Sequence, residues 1–310
     1  YPIAAGLSGR APPREMNFLL TILFTGRDYL IIPACAGAIF DRRENGNMEI
    51  VIARDYDEMS KISAGIIAAQ IRKKHDSVLG LATGDTPFGT YKELVRIHRE
   101  EGLDFSKIKS FNLDEYLGLA PLHPNSYNYF MQEHLFKHIN TVPANEFVPQ
   151  GNTDDPEEFC AWYERKIHEA GGIDLQVLGI GRNGHIAFNE PGSSLASRTR
   201  VKALAQKTIE DNSRFFESAD QVPRFVITMG VGTILDARRI LLVANGQKKA
   251  DACAKFIEGP VTSQVTASAL QLHPYVTVVL DEEAASALQR REYYNWIRDH
   301  KQLVQKRIGR

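Results

Sequence analysis

Across 310 residues, 37 Lys plus Arg nearly balance 38 Asp plus Glu, which excludes a global electrostatic attraction to nucleic acid or an anionic membrane, so any anion must be held locally. The cysteines, Cys35, Cys160 and Cys253, are odd in number and scattered, which excludes a disulfide framework or a CxxC metal pair and fits a reducing, cytoplasmic setting. The length accommodates one large α/β domain, the simplest expectation.

Residues 1–47 differ from the rest. A Pro-containing stretch (Pro12, Pro13) is followed by two apolar runs, 18–24 and 29–40, divided by Gly26, Arg27 and Asp28. Neither run reaches the ~20 apolar residues needed to span a bilayer. No Lys or Arg stands between Met16 and the first run, against a secretory signal there. The expectation is a non-core leader over 1–47 and a single domain over 48–310.

From Met48 the pattern is strand then helix. Residues 48–53 alternate as a strand, and after Asp55, with Glu58 as its capping-box partner, Met59, Ile62, Ile66, Ile67 and Ile71 fall at helical spacing. Further apolar strands are predicted over 77–82, 108–113, 175–180, 225–229, 240–244 and 275–280. Short, nearly uninterrupted apolar strands alternating with helices imply a parallel sheet covered on both faces. Ligands collect at the carboxyl ends of such strands, which makes the residues just after each strand the candidates.

After 77–82 come Thr83, Gly84, Asp85, Thr86 and Pro87, then a helix carrying Tyr91, Leu94 and Val95. With Thr86 as cap and Pro87 in the first turn, free backbone N–H groups would face the strand end, a geometry that suits phosphate. Read alone, the loop has a second, less favoured reading as an ordinary strand-to-helix turn. Two later cations, Arg214 within 212–216 and Lys248 after the Asn245, Gly246 turn, could assist or could be solvated surface charges. After 108–113 stand Asp114 and Glu115; paired carboxylates at an apolar strand end are costly to bury unless solvated or used. One is a candidate general base, and the plainer alternative is a turn or cap acid.

The densest segment is 179–191. Gly179, Gly181 and Gly184 match GxGxxG after a strand, but Asn189, Pro191 and Gly192 argue for a loop rather than a helix. The region ~20 residues on offers Arg198, Arg200 and Lys202 where a ribose-binding acid belongs. Nicotinamide binding is therefore not expected. What remains is a Gly-rich loop presenting His185 between Asn183 and Glu190, suited to proton exchange near neutral pH. No HxH, HExxH or Cys/His spacing appears, so no required metal is expected.

Taken together, TGDTP at 83–87, FNLDEY at 111–116, GRNGHIAFNEP at 181–191, SSLASRTR at 193–200, NSRFF at 212–216 and LQLHP at 270–274 resemble the glucosamine-6-phosphate deaminase family, from Met48 to roughly Asp281. The resemblance implies a modified Rossmann-like three-layer α/β/α sandwich with a mostly parallel sheet, shared with 6-phosphogluconolactonase. It implies deamination and isomerisation of glucosamine 6-phosphate to fructose 6-phosphate without a cofactor. On matching positions, Asp114 would remove the C2 proton, and His185 would open the sugar ring with Glu190 and Asn183. The loop Thr83, Gly84, Asp85 and Thr86, with Arg214 and Lys248, would hold the phosphate.

Two departures stand out. Asn183 replaces an Asp found in many members, and Asp85 replaces a usual Gly. In some hexameric members an activator binds at positions corresponding to Ser194, Arg200 and Lys202; both monomer and hexamer stay open. A lactone hydrolase is the nearest alternative, disfavoured by AFNEP at 187–191. A non-catalytic sensor is disfavoured because no basic helix-turn-helix pattern precedes the domain.

Overall fold

The structure, a computed structural model, describes residues 48–307, and the readings made on 1–47 lie outside the described residues. In chain order the strands and helices are β1 (Glu49–Ala53), α1 (Tyr56–Lys73), β2 (Val78–Leu81), α2 (Asp85–Glu101), β3 (Lys109–Asn112) and β4 (Asp114–Tyr116). There follow α3 (Tyr127–His134), β5 (Glu146–Phe147), α4 (Pro156–Glu169), β6 (Leu175–Leu178), β7 (Arg200–Ala203) and α5 (Gln206–Asn212). The last are β8 (Phe225–Thr228), α6 (Val231–Leu235), β9 (Ile240–Ala244), α7 (Ala250–Glu258), β10 (Val276–Asp281) and α8 (Arg291–Arg307).

Seven strands form the main sheet in the order β1-β10-β9-β6-β2-β3-β5, all parallel. Residues of β2, β6 and β9 are buried throughout, as a sheet covered on both faces requires. Alternation divides each strand between two cores. Leu241, Val243 and Val279 pack with Met59, Ile67, Tyr91 and Leu94 of α1 and α2. Leu242, Val278 and Leu280 pack instead with Phe159 and Tyr163 of α4, Ile234 of α6 and Phe256 of α7. The result is the expected three-layer α/β/α sandwich.

Two sequence expectations need correction. Residues 225–228 do not join the parallel sheet; β8 is the middle of a separate antiparallel sheet ordered β4-β8-β7. A short apolar run has no periodicity that tells one partner from another. Leu113 joins the two sheets: its N–H donates to Leu81 O at 3.0 Å, and its carbonyl accepts Met229 N–H at 2.7 Å. The second correction concerns α2, which begins at Asp85 with Gly84 as its cap, at φ 96°, and with no side-chain cap. A left-handed backbone is open to Gly at little cost, so the tight exit from β2 fell to Gly84 and not to Thr86. The box at α1 is as expected except at its far end: Glu58 N–H donates to Asp55, while the Glu58 carboxylate accepts Arg54 N–H at 2.7 Å.

Candidate active site

The chain leaves β2 toward β3 on one side, but leaves β6 toward β9 on the other, so the neighbouring strands β2 and β6 form the switch point of the sheet. A crevice opens at the carboxyl ends of such a pair. The 83–86 loop follows β2, the 179–191 loop follows β6, and Asp114 lies just past β3, which pairs with β2. Adjacent strands are about 4.8 Å apart, so three constellations scattered along the sequence become neighbours.

At the β2 exit the first backbone N–H groups of α2, from Asp85 and Thr86, have no intrahelical acceptor and carry the positive end of the helix dipole. Thr86 Oγ1 donates to Asn245 Oδ1 at 2.6 Å, tying the loop to the end of β9. Tyr56 Oη braces the turn from behind, donating to Asp85 O at 2.9 Å and accepting Gly89 N–H at 2.7 Å. The Asp85 carboxylate points to Arg214 Nη2 at 2.8 Å, both side chains exposed. Lys248 lies exposed in the 3-10 turn Gln247–Lys249. Its neighbour Lys249 is half-buried and donates to Ile180 O at 2.7 Å, over the start of the 181–191 loop. The sequence named Lys248 as the candidate cation; the turn leaves Lys248 exposed and directs the neighbouring Lys249 inward.

Asp114 opens β4 opposite Thr228 of β8 and is buried, and its carboxylate accepts no hydrogen bond from the described residues. Burial, then the neighbouring Glu115 charge, raises it well above the ordinary carboxylate range. Glu115 turns to the other face of the strand and accepts three backbone N–H groups, from Tyr116 (2.9 Å), Tyr127 (3.0 Å) and Asn128 (2.9 Å). Burial outweighs those bonds and pushes it up to about 7. Of the two carboxylates, then, Glu115 is committed to the first turn of α3 and Asp114 is not.

The loop after β6 does not open a helix, so the GxGxxG match lacks the context of a dinucleotide site. Gly181 is required for another reason: a Cβ there would lie 2.3 Å from His185 Cε1, so the imidazole rests against bare backbone. His185 Nδ1 stands 3.4 Å from Glu190 Oε2, a contact that is an ion pair only when the imidazole is protonated and that lacks hydrogen-bond alignment. Asn183 serves both partners, donating Nδ2–H to Glu190 Oε2 at 2.9 Å and accepting His185 N–H at Oδ1 at 3.2 Å. Burial would raise the Glu190 carboxyl, but the contacts with His185, Thr208 and Asn183 prevail and hold it at about 2. The loop is fastened from behind. Phe188 N–H donates to Thr228 Oγ1 at 3.1 Å, and Asn189 Nδ2 to Met229 O at 2.8 Å, so the strand residue facing Asp114 also anchors the His185 loop.

Ser194 lies in an exposed turn where its hydroxyl accepts Ala196 N–H at 3.2 Å. Arg200 and Lys202 share one face of β7, and Arg200 Nη1 donates to Asn189 Oδ1 at 2.9 Å, so this arginine braces the His185 loop. Of two surface concavities, one of about 250 Å³ lies beside Glu164, Arg198 and Asp236, and one of about 190 Å³ lies beside Glu115, Asn128, Gln150 and Trp162. Among the described residues no three His, Cys, Asp or Glu side chains are grouped to hold a metal ion, and no helix is long and apolar enough to cross a membrane.

Residues 56–279 match the family described as glucosamine-6-phosphate isomerases/6-phosphogluconolactonase. The chain belongs to that family. Within the isomerase/lactonase family its relatives include the glucosamine-6-phosphate deaminase of Cellvibrio japonicus (strain Ueda107), 51% identical over 262 residues that cover 84% of this chain and 100% of the relative. Glucosamine-6-phosphate deaminase 2 of Bacillus subtilis (strain 168) is 53% identical over 244 residues, 78% of this chain and 98% of the relative. A solved monomeric glucosamine-6-phosphate deaminase superposes with a TM-score of 0.77 at 49% identity, covering 77% of this chain and all of that one. The 6-phosphogluconolactonase from Trypanosoma cruzi gives a TM-score of 0.64 at 20% identity over 79% of this chain and 98% of its own, a likeness of fold alone.

Proposed function

We propose that the chain is a glucosamine-6-phosphate deaminase, converting D-glucosamine 6-phosphate and water to D-fructose 6-phosphate and ammonium in amino-sugar catabolism. The observation that carries this reading is the meeting, at the ends of β6, β2 and β3, of a His185–Glu190 pair, an anion-binding helix start and an uncommitted buried carboxylate at Asp114.

The sugar phosphate would seat its phosphoryl group on the N–H groups of Asp85 and Thr86, with Arg214 and Lys248 or its neighbour Lys249 as cations. His185 takes the proton of the C1 hydroxyl and returns one to the ring oxygen, breaking the C1–O5 bond and exposing an aldehyde. Glu190, held ionised, supports the positive charge that the imidazole carries in between. The aldehyde acidifies the C2 hydrogen, and Asp114 removes it to give an enolamine. A proton delivered to C1 then leaves an imine at C2. Water adds at C2 and ammonia departs, leaving the ketone. No net electrons leave the substrate, so the chemistry needs no oxidant.

A carboxyl raised by burial takes a proton more readily than an ordinary one, which favours Asp114 in the role of base. Replacing Asp114 by Asn should lower ammonium release by about 10² to 10⁴ fold, the range of a general acid–base step, with phosphate affinity near wild type. Near-full turnover by Asp114→Asn would refute the assignment. Running the assay with and without N-acetylglucosamine 6-phosphate tests in addition whether Ser194, Arg200 and Lys202 form an activator site.

A further inference from the structure

The segment 206–214 crosses all parts of the site in order. Thr208, buried in α5, donates its hydroxyl to Glu190 Oε1. Asn212, at the end of α5, donates Nδ2–H to Tyr116 Oη at 2.8 Å, on the strand that carries Asp114. Arg214 follows, paired with Asp85 at the start of α2. We propose that Thr208 is a positioning residue: its hydroxyl fixes the rotation of the Glu190 carboxylate so that the other oxygen faces His185.

The inference rests on the proposed ring-opening role of His185 and Glu190. Its basis is the division of labour between the carboxylate oxygens. Oε2 receives Asn183 Nδ2–H and faces His185 Nδ1, while Oε1 receives Thr208. Asn183 and His185 belong to the same loop as Glu190, so they move with it; Thr208 is the contact that comes from another element. A carboxylate bonded at one oxygen alone can turn about its last torsion, which is broad and two-fold. With both oxygens engaged it cannot, and the 3.4 Å contact to His185 keeps its orientation. The position of the hydroxyl is in turn set by α5, whose far end is fixed on Tyr116. Thr208 does not itself face the reacting atoms.

The test uses the full chain carrying Thr208→Val, which keeps shape and removes the donor, and Thr208→Ser, which keeps the donor. The expected result for Thr208→Val is a fall in kcat of about tenfold, the order of one lost hydrogen bond to a charged group, with KM for glucosamine 6-phosphate changed less than about twofold. Thr208→Ser should restore most of kcat. Unchanged kcat in Thr208→Val, or a loss that Thr208→Ser does not relieve although its melting temperature matches wild type, overturns the proposal. If Thr208→Val does not fold, Thr208→Ala takes its place with the same expectations. Wild-type protein that releases no ammonium from glucosamine 6-phosphate overturns the functional reading itself, and this inference with it.

Discussion

Asp114 and Glu190 are both buried carboxylates in one site, and their surroundings push them in opposite directions. Glu190 gathers donors from Thr208 and Asn183 and its contact with His185, and is held at about 2. Asp114 gathers no donor from the described residues and has the Glu115 charge beside it, so its proton is held far above the ordinary range. Environments that separate two carboxyls in this way commonly separate their roles, one a standing negative charge and the other an exchanger of protons. Because Glu190 stays ionised throughout, Asp114 and not Glu190 should contribute to the acid limb of kcat/KM. Replacing Glu115 by Gln removes the like charge, which lowers the Asp114 value and moves its contribution to that limb to lower pH. A kcat/KM profile between pH 5 and 9 checks this, and a limb that stays in place or moves upward sinks the contribution assigned to Asp114.

At the scale of elements, the start of α2 and the turn carrying Arg214 are held together by Asp85, at the position where Gly is usual in the resembling family. The carboxylate occupies the guanidinium that a phosphate would need. Both partners are more than 60% exposed, so the pair is worth less than about 1 kcal/mol and its competition with substrate is modest. Asp85→Asn should therefore lower KM for glucosamine 6-phosphate by no more than about fivefold, and by less as salt rises. A raised KM would mean that Asp85 assists binding. The loop itself was legible in the sequence, since β2 and β6 are nearly unbroken apolar runs, interrupted in β6 by Gln176, that end in Gly-containing turns. Its capping was not, because Thr and Pro suggest a cap while the sharp exit from β2 needs the left-handed backbone of Gly84. β4 and β7 were also missed. DEY and RVKA lack an apolar strand pattern and become strands by pairing with β8, a contact far away in sequence. Thr208 escaped notice for the same reason, standing 18 residues beyond Glu190 with no spacing rule to join them.

Over the whole molecule, the small antiparallel sheet holds the two costly carboxylates, and the large parallel sheet with its two apolar cores offsets that cost. Fully burying one Leu, Ile, Val or Phe contributes roughly 1.5–3 kcal/mol, so two or three core side chains suffice to carry an acid such as Glu115. This balance has a signature in pH. Glu115 titrates near 4.5 when unfolded and near 7 when folded, so between those values the native state binds more protons than the unfolded chain. Stability must then fall as pH rises through that window, and level off above it. Glu190 has the opposite sign: its contribution is complete above about 4.5 and is lost as pH drops toward about 2. Glu115→Gln deletes the first term and leaves the second. Relative to wild type, its unfolding free energy should therefore improve between pH 4.5 and 8, by up to about 3 kcal/mol if burial acts in full. Urea unfolding of both proteins across that range measures the difference directly. Curves that run parallel from acid to base would show that the three backbone N–H groups already match the burial, leaving Glu115 ionised at no cost.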